Sequence, residues 1–192
     1  MKPPILLLLA ALTASATAAR ITIDPDRQLG PLPHHLHGPF IEHLGTCIHG
    51  GIFEPDSPLA HPGGFPTAVA AMVRQLDPRL LRWPGGTFTK IYHWQDGIGP
   101  REDRRKRPNL IWGGIENNLF GTDEFVRYCR LVGAEPYVSV NMATGTAEEA
   151  ANWVEYCNGT GDTHYANLRR QNGSPEPHNV KLWGLGNEED AA

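Results

Sequence analysis

The chain has 192 residues, 40% hydrophobic and 20% charged, enough for one domain with a sizeable core and too balanced for a disordered or repetitive chain. Its formal net charge of -4 excludes the basic footprint that non-specific nucleic-acid binding needs. With 21 Gly and 17 Pro, many turns and long loops are expected rather than a bare helical bundle.

Residues 1–19 read as a signal peptide. Lys2 supplies the charge, Ile5 to Leu12 the apolar core, and Ala16-Thr17-Ala18 the small-residue cleavage region. The apolar run is shorter than the roughly 20 residues that span a bilayer, so cleavage is preferred over a retained anchor. A mature chain starting near Arg20, secreted or periplasmic and free of the membrane, is expected. Cys47, Cys129 and Cys157 are an odd, scattered set and predict no disulfide framework; Cys129 and Cys157 read as small buried hydrophobes. The Asn158 and Asn172 sequons matter only in a host that glycosylates exported proteins.

In chain order, Ile21–Ile23 predicts a short strand closed by Asp24-Pro25-Asp26. His37–His43 predicts a strand running into a Gly-rich loop. Phe65–Leu76 predicts a helix with Val69, Met72, Val73 and Leu76 on its apolar face. Leu80–Pro84 predicts a strand that Pro84 ends. Thr122–Val132 predicts a helix burying Phe125, Tyr128, Cys129 and Val132. Tyr137–Asn141 predicts a strand. Thr146–Asn158 predicts a helix opened by the Thr146-Ala-Glu-Glu149 capping pattern and closed by Gly159. Val180–Asn187 predicts the last strand. Four β-then-α units predict an α/β fold, and the unusual clusters (Glu42-His43, Pro84-Gly85-Gly86, Asn141, Asn187-Glu188) all follow strand ends. A (β/α)8 TIM-type barrel builds its active site there. A doubly wound sheet would do the same, but no Gly-rich nucleotide fingerprint follows the first strand. Four units make half a closed barrel, with two unpaired edges.

A carboxylate beside an amide at such a mouth suits sugar chemistry, the amide binding a hydroxyl and the carboxyl donating a proton. Asn187-Glu188 alone is equally compatible with a solvated loop. Nine histidines invite a metal reading, but no His-Glu-x-x-His or paired-Cys spacing supports one, and neither a metal nor a cofactor is expected. The mixed-sign run Arg101–Arg107 reads as a solvated loop.

Several stretches together carry a resemblance. They are His37-Gly-Pro-Phe-Ile-Glu-His-Leu-Gly45, Gly50-Gly-Ile-Phe-Glu-Pro-Asp56, Leu81-Arg-Trp-Pro-Gly-Gly86 and Trp94 to Pro100. Phe120-Gly-Thr-Asp-Glu-Phe125, Val132-Gly-Ala-Glu-Pro-Tyr137 and Leu182-Trp-Gly-Leu-Gly-Asn-Glu188 follow in the same order. From residue 21 onwards the chain resembles the N-terminal half of the catalytic domain of glycoside hydrolase family 51 α-L-arabinofuranosidases. The resemblance implies a retaining hydrolase that releases terminal α-L-arabinofuranosyl groups from arabinan, arabinoxylan or related saccharides. It makes Glu188 the acid/base and Asn187 the neighbouring substrate-binding amide. Glu42 becomes a carboxylate that binds arabinose hydroxyls, and Arg82 the arginine organising the pocket floor. Thr87 stands where relatives carry Asn or Cys against the sugar, and a hydroxyl offers fewer hydrogen bonds than an amide. Trp112 serves as an apolar pocket wall, although an ordinary buried Trp explains it nearly as well.

Physics alone allows Glu42 and Glu188 to be the acid and nucleophile of a retaining pair, about 5–5.5 Å apart. The resemblance instead places the nucleophile on a later strand, outside this sequence. It also assigns Ile21–Ile23 to a C-terminal β-sandwich and implies a parent that can be a homo-oligomer. Two other readings remain: an inactive truncated product with weak sugar binding at most, and an inverting or endo-acting relative on the same scaffold.

Overall fold

A computed structural model describes residues 19–189, so the expected signal segment lies almost wholly outside the described residues. The described residues up to Leu32 belong to a unit of their own. The strand expected at Ile21–Ile23 does not form: Ile21 and Ile23 are exposed, and no ladder of hydrogen bonds holds the segment extended.

From Pro33 onwards the order is β1 (Ala60–His61), β2 (Phe65–Pro66), α1 (Thr67–Gln75), β3 (Leu80–Trp83), β4 (Arg107–Pro108) and β5 (Ile115–Glu116). It continues with α2 (Thr122–Val132), β6 (Glu135–Val140), α3 (Ala147–Asn158), α4 (His164–Gln171) and β7 (Leu182–Leu185). The central sheet is β3-β6-β7, parallel throughout, with Trp83 opposite Val138 and Val138 opposite Trp183. β1-β2 and β4-β5 are short antiparallel pairs. The strand expected at His37–His43 is reduced. His34–His37 is a 3-10 turn, and the segment joins the sheet through a single parallel bridge between Phe40 and Arg82. Ile41 N donates to the Arg82 carbonyl at 2.9 Å, and Arg82 N donates to the Pro39 carbonyl at 3.1 Å. Three helical crossovers therefore link parallel strand positions, and the described residues form an open parallel sheet rather than a closed barrel. Among them, no helix is long and apolar enough to cross a membrane.

Strand alternation separates the two faces of the sheet. Leu81, Trp83, Val138 and Val140 are buried, while Leu80 and Arg82 are only partly so. On the buried face Trp83 stacks on Phe125 of α2, with centroids 5.1 Å apart, and meets Trp153 of α3 edge-on at 5.8 Å. Trp153 also stacks on Trp94 at 6.0 Å and donates its indole N–H to Thr122 Oγ1 at 3.0 Å. Truncating a side chain this central costs about 3–5 kcal/mol.

α2 matches the expected bounds and the expected buried stripe. Gly133 ends it in the left-handed conformation, φ 83°, where glycine meets no Cβ penalty. On α1 the buried face is corrected. Ala70 is buried and Val69 and Val73 are partly so, whereas Met72 and Leu76 are exposed; packing selected one of two overlapping stripes. At α3, Thr146 Oγ1 accepts from Glu149 N at 3.0 Å, as the capping pattern predicts. Gly159, however, closes α3 at φ -61°, without left-handed geometry.

The run Arg101–Arg107 is not simply a solvated loop. Arg104 is buried and grips both oxygens of Glu124 at 3.0 and 3.2 Å. Its remaining N–H groups reach the carbonyls of Gly99, Asn118 and Leu119. A guanidinium can be buried here because its donors are matched by acceptors.

Candidate active site

The C-terminal ends of the parallel strands carry Glu42, Arg82, Asn187 and Glu188, with Thr87 in the turn after β3, whereas Trp112 stands on the loop of the antiparallel β4-β5 pair. At the end of the Phe40 bridge, Glu42 is buried, and Phe88 N donates to its Oε1 at 2.8 Å. Gly85 and Gly86 make this placement possible. A Cβ at Gly85 would lie 2.6 Å from Glu42 Cγ, and one at Gly86 would lie 2.8 Å from Glu42 Oε2. The Pro-Gly-Gly turn after β3 is thus a slot shaped for a carboxylate.

Arg82, on β3, donates to Asn187 Oδ1 at 3.0 Å and lies over the Phe40 ring at 4.9 Å. Asn187 is buried just past β7, where Gly186 at φ 79° breaks the strand alternation. Glu188 follows at φ 51° with its side chain exposed, and Lys90 Nζ holds its carbonyl at 3.0 Å. Thr87 opens the 3-10 turn Thr87–Ile91 and is half-buried. Trp112 is 44% exposed, on the loop between β4 and β5, so it is not an ordinary buried Trp. The structure therefore joins Arg82 to Asn187 directly and carries Glu42 two residues past the Phe40 bridge to Arg82, while Thr87 and Glu188 make no side-chain hydrogen bond among the described residues.

Sequence reasoning missed a second layer. His43, with a side chain 0% exposed, places Nδ1 2.8 Å from Glu116 Oε2, and its Nε2 accepts from Trp83 Nε1 at 3.0 Å. The second bond fixes the tautomer, with the proton on Nδ1 donated to Glu116. His49 Nε2 meets Glu116 Oε1 at 3.1 Å, and Asn118 N donates to the same oxygen at 2.8 Å. Burial drives the His43 pKa down, against the pull of Glu116. Burial alone would raise Glu116, but the hydrogen bonds from His43 and His49 outweigh it and hold the carboxyl well below the usual carboxylate range. Ligand atoms of His43, His49 and Glu116 lie within 4.8 Å of one another, a spacing that a metal ion could use. Both His43 nitrogens already have partners, so the arrangement is that of a hydrogen-bonded network. Its side-chain pairs lie 40 to 73 positions apart, and no local motif announces such pairs.

The sequence model described as the alpha-L-arabinofuranosidase 1 domain matches residues 72–192. The chain belongs to the family 51 α-L-arabinofuranosidases. Alpha-L-arabinofuranosidase C of Emericella nidulans is 52% identical over 171 residues, 89% of this chain and 34% of that protein. An intracellular exo-alpha-L-arabinofuranosidase of Bacteroides ovatus is 45% identical over 98% of this chain and 38% of its own length. Among solved structures, the arabinose complex of the Thermotoga maritima α-L-arabinofuranosidase superposes with TM-score 0.78 at 57% identity, over 80% of this chain and 32% of that one. The thermostable family 51 enzyme of Thermotoga petrophila gives TM-score 0.82 at 55% identity, over 86% and 34%. The chain spans about a third of the length of the curated relatives it matches. The α-L-arabinofuranosidase resemblance seen in the ordered motifs is thereby established, and the open parallel sheet is the corresponding piece of these enzymes' fold.

Proposed function

We propose that the full-length parent is a retaining glycoside hydrolase that releases terminal α-L-arabinofuranosyl groups from arabinan- or arabinoxylan-type saccharides. The observation that supports this reading is the Arg82–Asn187 hydrogen bond, which ties the residue before Glu188 to the strand bridged by the segment that ends in buried Glu42. In the first step a nucleophilic Glu from a later strand attacks the anomeric carbon. The glycosidic C–O bond breaks, and Glu188 protonates the departing oxygen. In the second step water attacks the anomeric carbon of the glycosyl ester as Glu188 takes its proton, the ester C–O bond breaks, and the nucleophilic Glu leaves as a carboxylate. Asn187 and Glu42 bind sugar hydroxyls, Arg82 fixes the floor, Thr87 touches the ring edge, and Trp112 offers its face to ring C–H groups.

The complete (β/α)8 barrel, export after cleavage of residues 1–19 and homo-oligomer formation belong to the same reading of the parent. Binding of nucleic acid does not fit its charge.

The test is Glu188→Ala in the full-length protein, assayed on arabinofuranosides with good and poor leaving groups. Turnover should fall steeply for poor leaving groups, which need protonation, and far less for activated aryl glycosides. Unchanged turnover of poor substrates would sink the assignment.

A further inference from the structure

Between the Glu42 strand end and the Trp112 loop stands one side chain with no assigned role. We propose that Asn109 is a positioning residue that sets Trp112 in register with Glu42-His43; the proposal rests on the reading of Trp112 as a wall of the sugar pocket. Asn109 is buried, 8% exposed. Its Nδ2 donates to the His43 carbonyl at 3.1 Å, one residue from Glu42. Its Oδ1 accepts from Ile111 N at 3.2 Å and from Trp112 N at 2.9 Å. A single amide thus connects the two segments, using its donor on one and its acceptor on the other.

The backbone of the same residue closes the loop. Asn109 N donates to the Gly114 carbonyl at 3.0 Å, and Gly113 N donates to the Asn109 carbonyl at 2.9 Å. Gly113 and Gly114 supply the turn, at φ 80° and 79°. Below the loop, each leg is anchored independently. Arg107 pairs with Asp96 at 2.8 Å on one side, and Glu116 holds His43 and His49 on the other. The legs therefore fix where the hairpin stands, and the Asn109 side chain fixes how Trp112 is presented. His43, Asn109 and Trp112 line one cavity of about 320 Å³.

A residue acting through Trp112 has an effect that disappears when Trp112 is absent. In the full-length protein, hydrolysis of an aryl α-L-arabinofuranoside is measured for N109A, W112A and the double variant, with melting temperatures alongside. N109A should raise KM about tenfold and change kcat much less, the signature of lost ground-state binding. Added to W112A, the same substitution should change KM by less than about twofold, because the two residues share one interaction. If N109A does not fold, N109D keeps the oxygen that holds Trp112 N–H, loses the donation to His43, and should show the same dependence on Trp112. An equal KM factor in both backgrounds, or a loss of melting temperature with no change in KM, overturns the proposal. A W112A enzyme with unaltered KM overturns it too, and leaves the Glu188 assignment standing. Absence of arabinofuranosidase activity in the unsubstituted full-length protein overturns both.

Discussion

Arg82 donates to Asn187 Oδ1 at 3.0 Å across the full width of β6, which lies between their strands. The bond couples β3 to the residue before the proposed acid/base. A hydrogen bond from a charged group contributes about 1.5–3 kcal/mol net. Asn187→Ala should therefore lower kcat/KM of the full-length enzyme by roughly 10- to 100-fold on top of any direct sugar contact. Arg82→Lys should cause a comparable loss, because the ammonium does not reproduce the reach and direction of the guanidinium N–H that meets Asn187 Oδ1. Steady-state kinetics on an aryl arabinofuranoside decide this; a fall below twofold in N187A would remove Arg82–Asn187 from the argument.

The glycine slot around Glu42 gives a second expectation. Gly85→Ala pushes a methyl to 2.6 Å from Glu42 Cγ, and overpacking of this kind costs about 1–3 kcal/mol. Gly133→Ala at φ 83°, with open space around its Cβ, loses about 1–2 kcal/mol through backbone strain alone. Both should lower the melting temperature. Only Gly85→Ala should also raise KM, because only it displaces the carboxylate. Equal KM values in the two variants would show that the slot does not serve binding.

His43 sets the acid side of stability. Its folded pKa lies below the ordinary histidine value of 6.5, so the unfolded chain takes up a proton that the folded state refuses. Stability contributed by neutral His43 is present above about pH 6.5 and is lost progressively as pH falls below it. Glu116 and Asp123 are held low, and their contributions are lost only as pH falls past the ordinary carboxylate range. Between pH 7 and 5 the decline in melting temperature should therefore flatten in His43→Gln, which keeps a donor toward Glu116 without titrating. Parallel curves for the two proteins would refute the assignment.

Helix α2 was readable because Phe125, Tyr128, Cys129 and Val132 repeat at helical spacing between a glycine start and a glycine stop. Helix α4 was not, because in His-Tyr-Ala-Asn-Leu-Arg-Arg-Gln only Tyr165, Ala166 and Leu168 are apolar, too few to show a helical period. Beside these it is held by Arg169, 0% exposed, donating to the carbonyls of Tyr156, Gly159 and Ser174. The strand at His37–His43 had the right composition but only one bridging residue, since pairing is decided by the neighbour and not by propensity. In the site, Glu42, Arg82 and Asn187 were legible as strand-end residues in an ordered set of motifs. The contacts of Glu116 and Asn109 were not, because hydrogen bonds spanning 66 and 73 positions leave no local trace.

The seat of Glu42 also determines what can bind there. A carboxylate has about four acceptor positions. Among the described residues, a single main-chain N–H occupies one of them, and the two glycines keep side chains away from the rest. An acceptor held rigid and sparsely used selects for ligands that bring several hydroxyls on one edge. Such a site should discriminate among sugars by the number and direction of their donors more than by their size, and a deoxy analogue should be penalised at this carboxylate before anywhere else.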